Sequence, residues 1–174
     1  MFTFHHGFWT YFFTRRHPAV WQFVIGSMLP DYVYFIVLGL MVVQGHIGLG
    51  EIPGLTPAVF LSYLPFYPWA VQIDLIGHSV VVWGMAFGLS LLPSLRKAQP
   101  LVIGWGLHLF IDGITHAAYS NFFLYPLSML TVQSPVSYWE PEYFGREFRT
   151  VNGALVTLAV LYLAYQWWKN KYRR

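Results

Sequence analysis

PLVIGWGLHLFIDGITHAAY, residues 100–119, is an apolar run that carries three ionisable groups, His108, Asp112 and His116. As an α-helix, 20 residues rise about 30 Å, the thickness of a bilayer's hydrocarbon core, so the run reads as a membrane span. An ionisable side chain at mid-membrane costs roughly 3 kcal/mol even on the translocon scale, so such groups persist where they have partners or work to do. Three more stretches have comparable length and character: residues 19–43, 69–92 and 151–168.

The composition agrees with a membrane setting. Of 174 residues, 56% are hydrophobic and only 10% are charged. Soluble domains average about 25% charged residues, so this chain lacks the polar groups to clothe a globular surface. Aromatics make up 20%, with 8 Trp and 12 Tyr, the types that gather at membrane–water interfaces. Residues 1–14, rich in Phe, Tyr and Trp, read as an N-terminal interfacial helix, and they lack the early basic region of a cleavable signal peptide. Residues 55–67 hold Pro57 and Pro65 and read as a short interfacial or re-entrant segment. Pro30, in Gly26-Ser27-Met28-Leu29-Pro30-Asp31, is expected to kink or restart the first span. With no repeat and no linker, residues 1–174 form one domain: an all-α integral membrane protein of about four transmembrane helices.

The net charge of +3 is a topology signal. Arg15 and Arg16 precede the first span, Arg96 and Lys97 separate the second from the third, and Lys169, Lys171, Arg173 and Arg174 follow the fourth. Eight of the 10 basic residues thus share one side, leaving Arg146 and Arg149 on the other. Both termini are expected in the cytoplasm, with residues 44–68 and 120–150 outside. No basic stripe remains for nucleic acid.

Within the spans lie Asp31, Asp74, His78, His108, Asp112 and His116, whereas the fourth span has none after Asn152 at its edge. The plainest account is a structural polar network of Asp–His pairs between helices, but the spacing points further. His108, Asp112 and His116 stand at i, i+4 and i+8, on one helix face that drifts by about 80°. The outer two are about 12 Å apart along the axis, so one ion can take the His108–Asp112 pair but hardly both histidines. A site using all three needs two ions sharing a carboxylate. Asp74 and His78 form another i, i+4 pair, in which Asp74 either adds a ligand or orients the His78 ring. The chain has no cysteine, so ligation is by nitrogen and oxygen, which suits Zn, Mn or Fe. His17 reads as a solvated headgroup contact, His46 as a turn residue without a role, and His5 and His6 as unremarkable in themselves.

The succession Phe2-Thr3-Phe4-His5-His6, the Gly26–Asp31 stretch, Gly77-His78-Ser79, the His108–His116 motif and Tyr125-Pro126-Leu127-Ser128 resembles a bacterial family over roughly residues 2–128. The family consists of small inner-membrane proteins described as membrane-bound metal-dependent hydrolases. The order of histidines and aspartates is also similar to that of zinc-dependent phospholipase C and the single-strand nucleases, soluble helical enzymes that cleave phosphoesters. Their further His-x3-Glu ligand pair has no counterpart here. The resemblance implies that His6, Asp31, His78, His108, Asp112 and His116 are metal ligands, with Asp31 bridging ions or orienting the attacking water. His6 is chosen over His5 because the family's histidine follows a Phe-Thr-Phe-x segment. For His6 to join the others, residues 1–14 must dip into the membrane or the spans must be broken.

The expected function is a membrane-embedded, metal-dependent hydrolase of the bacterial inner membrane. It would hold one or two divalent ions, zinc foremost, and act on a phosphoester or acyl ester of a lipid-like substrate among the membrane lipids. Asp31 and Asp74 are its candidate catalytic carboxylates. Aromatic residues within 63–69 and 121–125 would flank the entry, and Glu140, Glu142 and Glu147 would form a solvated acidic patch balanced by Arg146 and Arg149. A second reading is a non-catalytic protein that binds haem between His78 and His108 or conducts protons or metal ions along its Asp/His chain. A scaffold that keeps a structural metal is a third.

Overall fold

The computed structural model describes residues 3–117 and 123–172, and those residues are helical with no strand. Phe2, Ala118 and Tyr119 at the end of the expected third span, Ser120, Asn121 and Phe122 of the expected outer loop, and Arg173 and Arg174 lie outside the described residues. Among the described residues, eight α-helices follow in order: α1 (Thr3–Thr14), α2 (Val20–Met28), α3 (Tyr32–Val43), α4 (Pro57–Tyr63), α5 (Pro68–Gly77), α6 (Val80–Ser90), α7 (Gln99–Thr115) and α8 (Gly145–Tyr172).

Two of these stretches are long and apolar enough to cross a membrane: Val20–Val43, formed by α2 and α3 in succession, and Gly145–Tyr172. Pro30 acts at the junction of α2 and α3, where Leu29–Asp31 tightens into a 3-10 turn. The expected second span is divided. Pro57–Phe66 and Pro68–Gly77 form a pair bent by 117°, a third crossing if it serves as one broken span, and α6 is a separate helix of 11 residues. The break falls at His78–Ser79. Ser79 is extended (φ −90°, ψ 121°), and its hydroxyl caps α6 by accepting from the Val82 N–H at 3.0 Å. The loop around residues 123–125 supplies the remaining partners: Ser79 Oγ donates to the Tyr125 carbonyl, and the Val80 N–H donates to the Phe123 carbonyl at 2.8 Å. Irregular backbone at membrane depth is tolerated where protein satisfies it in this way. α7 has 17 residues, just under the usual span length.

The centre of the bundle is the pairing of α2 with α7. A Cβ placed on Gly26 would lie 1.9 Å from the Leu101 carbonyl oxygen, and one on Gly104 would lie 2.2 Å from that of Phe23. The two helices therefore touch main chain to main chain, which only residues without side chains permit. α1 lies across α2 and α7 with His6, Gly7 and Thr10 buried against them. A separate apolar core joins Val33, Val37 and Met41 of α3 to Tyr67, at the junction with α5, and Ala70 on α5.

α7 ends at His116, whose backbone turns extended (φ −120°, ψ 120°). Its last carbonyls are taken up by the following loop. Ser134 donates from its N–H to His116 O and from Oγ to Ile114 O, and the Tyr138 N–H donates to Thr115 O, each at 2.8 Å. α8 packs sparsely. It meets α1 through the Trp9 indole N–H, which donates to Asn152 Oδ1 at 2.9 Å, and through an edge-on contact of Tyr162 with Phe12.

The Gly26 contact gives a direct test. Gly26→Ala is expected to lower stability by about 1–3 kcal/mol or more, because a backbone carbonyl cannot step aside. Gly39→Ala, on the same span with nothing within 4 Å of its Cβ position, should be neutral or slightly stabilising. Thermal unfolding of the two variants in detergent separates these outcomes.

Candidate metal centre

Asp31, His78, His108 and Asp112 come from three different elements and meet at one point. The 3-10 turn after α2 carries Asp31, the α5–α6 break carries His78, and α7 carries His108 and Asp112 one turn apart. His78 Nε2 lies 3.1 Å from His108 Nε2. Asp112 Oδ2 is 3.0 Å from His108 Nε2 and 3.6 Å from His78 Nε2. Asp31 Oδ1 is 3.6 Å and 3.5 Å from the same two nitrogens. Ligands at about 2.0–2.1 Å around a tetrahedral ion stand roughly 3.3 Å apart, the middle of this range.

The far side of each imidazole decides what the near side can be. His78 Nδ1 donates to Asp74 Oδ1 at 2.9 Å. His108 Nδ1 donates to the Ser27 carbonyl at 2.8 Å. With its proton on Nδ1, a neutral ring presents a bare lone pair at Nε2. Two lone-pair nitrogens and two carboxylate oxygens thus face one another in a buried space, an arrangement that calls for a cation. The Asp–His and carbonyl–His pairings are the outer contacts that orient metal-binding imidazoles.

Pro30 contributes to this by what it lacks. In the 3-10 register of its turn, Leu29 N–H bonds to Gly26 O and Tyr32 N–H to Leu29 O. The corresponding partner of Ser27 O would be the nitrogen of Pro30, which has no hydrogen. His108 takes that carbonyl instead.

His6 completes a second group. It is fully buried, its ring stacks on that of His108 with centroids 4.0 Å apart, and its Nε2 is 3.1 Å from Asp112 Oδ1. Neither ring nitrogen of His6 has a hydrogen-bond partner, although Asp112 Oδ1 lies close to Nε2. A buried imidazole with both nitrogens orphaned, one beside a carboxylate, suits a ligand better than a structural donor. Two triads can therefore hold an ion, His6/His108/Asp112 and Asp31/His78/His108, and Asp112 offers a different oxygen to each side.

His116 stands at the rim. Its Nδ1 is 3.4 Å from Asp112 Oδ1 and 3.2 Å from the carbonyl of the same residue, and it belongs to neither triad. The helix ends just before it, and its backbone N–H still donates to the Asp112 carbonyl at 3.1 Å. Asp74 is also outside both triads. Of the sequence's two options for Asp74, the geometry takes the orienting one: the carboxylate holds His78 Nδ1 and accepts the Tyr34 hydroxyl. Tyr34 and Ser27 were not visible as site residues in the sequence. Each acts through a contact that exists only once α3 meets α5, or α2 meets α7.

His5 points elsewhere. The Tyr138 hydroxyl donates to its Nδ1 at 2.9 Å, and burial pushes the Tyr138 pKa up to about 12, so the phenol keeps its proton. His46 sits among the rings of Tyr63 and Phe66, away from the centre. In the expected acidic patch Glu142, Glu147, Arg146 and Arg149 are exposed, Glu140 accepts the Ser137 hydroxyl, and Arg149 donates to the carbonyls of Tyr138 and Trp139. Of the aromatics expected to flank an entry, Tyr67 is buried with its hydroxyl donating to Gln44 at 2.6 Å, and Tyr125 donates to Gln72 at 3.1 Å.

Tyr34→Phe removes one hydroxyl and little else. It is expected to weaken metal binding about 10- to 100-fold, as loss of an outer contact does, while the metal-free fold changes by no more than about 1 kcal/mol. Competitive titration against a chromogenic chelator, beside thermal unfolding of the stripped protein, measures both.

Comparison with protein-family models, curated proteins and solved structures gives no match to this chain.

Proposed function

We propose that this protein is a membrane-embedded hydrolase whose buried His/Asp centre holds one or two divalent ions, zinc foremost, with manganese or iron as alternatives. The substrate class is a lipid-like molecule cleaved at a phosphoester or acyl ester bond. The observation that carries the reading is the convergence of two bare Nε2 atoms with two carboxylates, each imidazole held in that tautomer by Asp74 or Ser27. A divalent ion bound there supplies Lewis acidity, acidifying water and offsetting negative charge that develops on a carbonyl or phosphoryl oxygen.

The chain's own residues have distinct parts in this reading. His78 and His108 bind through Nε2 and stay oriented through Nδ1. Asp112 binds on both sides, through Oδ2 towards His108 and Oδ1 towards His6. Asp31 would add a carboxylate beside His78 and His108 and would orient the attacking water and accept its proton. Asp74 acts on His78 and not on substrate. The step from metal site to hydrolysis rests on motif resemblance, which is an associational warrant.

The membrane setting belongs to the same proposal. α5 and α6, as one span broken at His78–Ser79, and α7 join the two long helices to make about four crossings of a bacterial inner membrane. The bend between α4 and α5 is then a re-entrant feature, and the basic turns and both termini face the cytoplasm. The haem reading loses its proposed ligand pair, since Nε2 atoms 3.1 Å apart leave no room for a porphyrin between them. The relay reading keeps one specific support, the continuous path from Tyr34 through Asp74 and His78 to His108.

Metal analysis of protein purified in detergent without chelator tests the proposal. The wild-type chain is expected to carry about one to two equivalents of zinc or manganese, and the His108→Ala/Asp112→Ala variant essentially none. Ester and phosphoester turnover by the metal-loaded protein, lost on chelation, would then support hydrolysis. A wild type free of metal, even after incubation with zinc, would overturn the reading in favour of the relay.

A further inference from the structure

The turn between α1 and α2 frames a feature independent of the metal centre. An open cavity of about 400 Å³ is lined there by Phe13, Thr14, Arg16, His17 and Phe23. The neighbouring arginine is already engaged: Arg15 donates to the Phe12 carbonyl and lies over the Phe12 and Tyr162 rings at 4.7 and 5.5 Å. Arg16 has no hydrogen-bond or ion-pair partner among the described residues. No acidic residue precedes Asp31 in the sequence.

His17 adds a second donor. The Ala19 N–H donates to its Nδ1 at 3.0 Å, which places the ring's own proton on Nε2. The ring is held edge-on to Phe23, with centroids 5.0 Å apart at 81°. Phe13, on the other wall, is 76% exposed. The cavity therefore combines a free guanidinium and an imidazole N–H with two aromatic walls. Guanidinium groups pair bidentately with phosphate oxygens, and the walls suit an apolar chain rather than a free anion.

We propose that this cavity binds the phosphate of an anionic phospholipid, with Arg16 and His17 on the phosphodiester and Phe13 and Phe23 against the start of its acyl chains. Basic pockets between helices at the cytoplasmic face have this chemistry. The ligand is one lipid molecule held at one place, as distinct from the general attraction of basic residues to a negative surface.

Native mass spectrometry of the full chain in detergent, titrated with phosphatidylglycerol or phosphatidylcholine, reads the site directly. The expected result is one retained phosphatidylglycerol, bound about tenfold more tightly than phosphatidylcholine. The Arg16→Gln/His17→Gln variant should lose that preference, and Arg96→Gln, which alters the other basic turn, should keep it. Preference surviving in the double variant, or falling equally in Arg96→Gln, would overturn the site in favour of diffuse charge. Millimolar inorganic phosphate should fail to displace the lipid. Displacement would overturn the lipid assignment and make the cavity a free-phosphate site.

Discussion

Four acceptors pointed at one another are the constraint around which this bundle is arranged. His78 Nε2, His108 Nε2, Asp31 Oδ1 and Asp112 Oδ2 lie within 3.0–3.6 Å of their neighbours. Two like charges about 4 Å apart repel by about 4 kcal/mol at an effective dielectric of 20, and burial raises the penalty. A sequence selected only to fill a bilayer would shed such groups. This one places them on three elements and breaks its helices, at Leu29–Asp31 and at His78–Ser79, so that they meet.

Those breaks are also where polar backbone is most costly in a membrane, and each is closed by a neighbour. Ser79 caps α6, the carbonyls of Phe123 and Tyr125 accept from the Val80 N–H and the Ser79 hydroxyl, and His108 takes the Ser27 carbonyl that Pro30 leaves free. The same contacts that make the irregular backbone tolerable fix the tautomers of the imidazoles. Fold and site are therefore not separable layers. Losing the His108–Ser27 bond exposes a carbonyl and frees a ring in one event.

Much of the centre was legible in the sequence because it is local. The shared face of His108 and Asp112, and of Asp74 and His78, follows from their i, i+4 spacing and helix geometry alone. The Pro30 interruption was readable from proline's missing donor. The break at Ser79 was not, because a serine amid apolar residues becomes a helix cap only when the segment near residue 125 arrives to share it. Length alone therefore made residues 69–92 look like one span. His116 does lie beside Asp112, as its spacing implied, but as the residue that caps α7 rather than within it. Tyr34 could not be found at all, since a tyrosine in an apolar helix carries no signal until Asp74 is beside it.

The contact between α2 and α7 has a mechanical side. Where helices pack through side chains, rotamers yield and small displacements are absorbed. At Gly26 and Gly104 there are no rotamers, only main chain against main chain. A shift of α2 is therefore passed on rather than damped. One residue beyond Gly26, Ser27 holds His108. The first span and the centre then move as one piece, like meshed gears, and compliance is left to the sparsely packed α8 at the edge of the bundle.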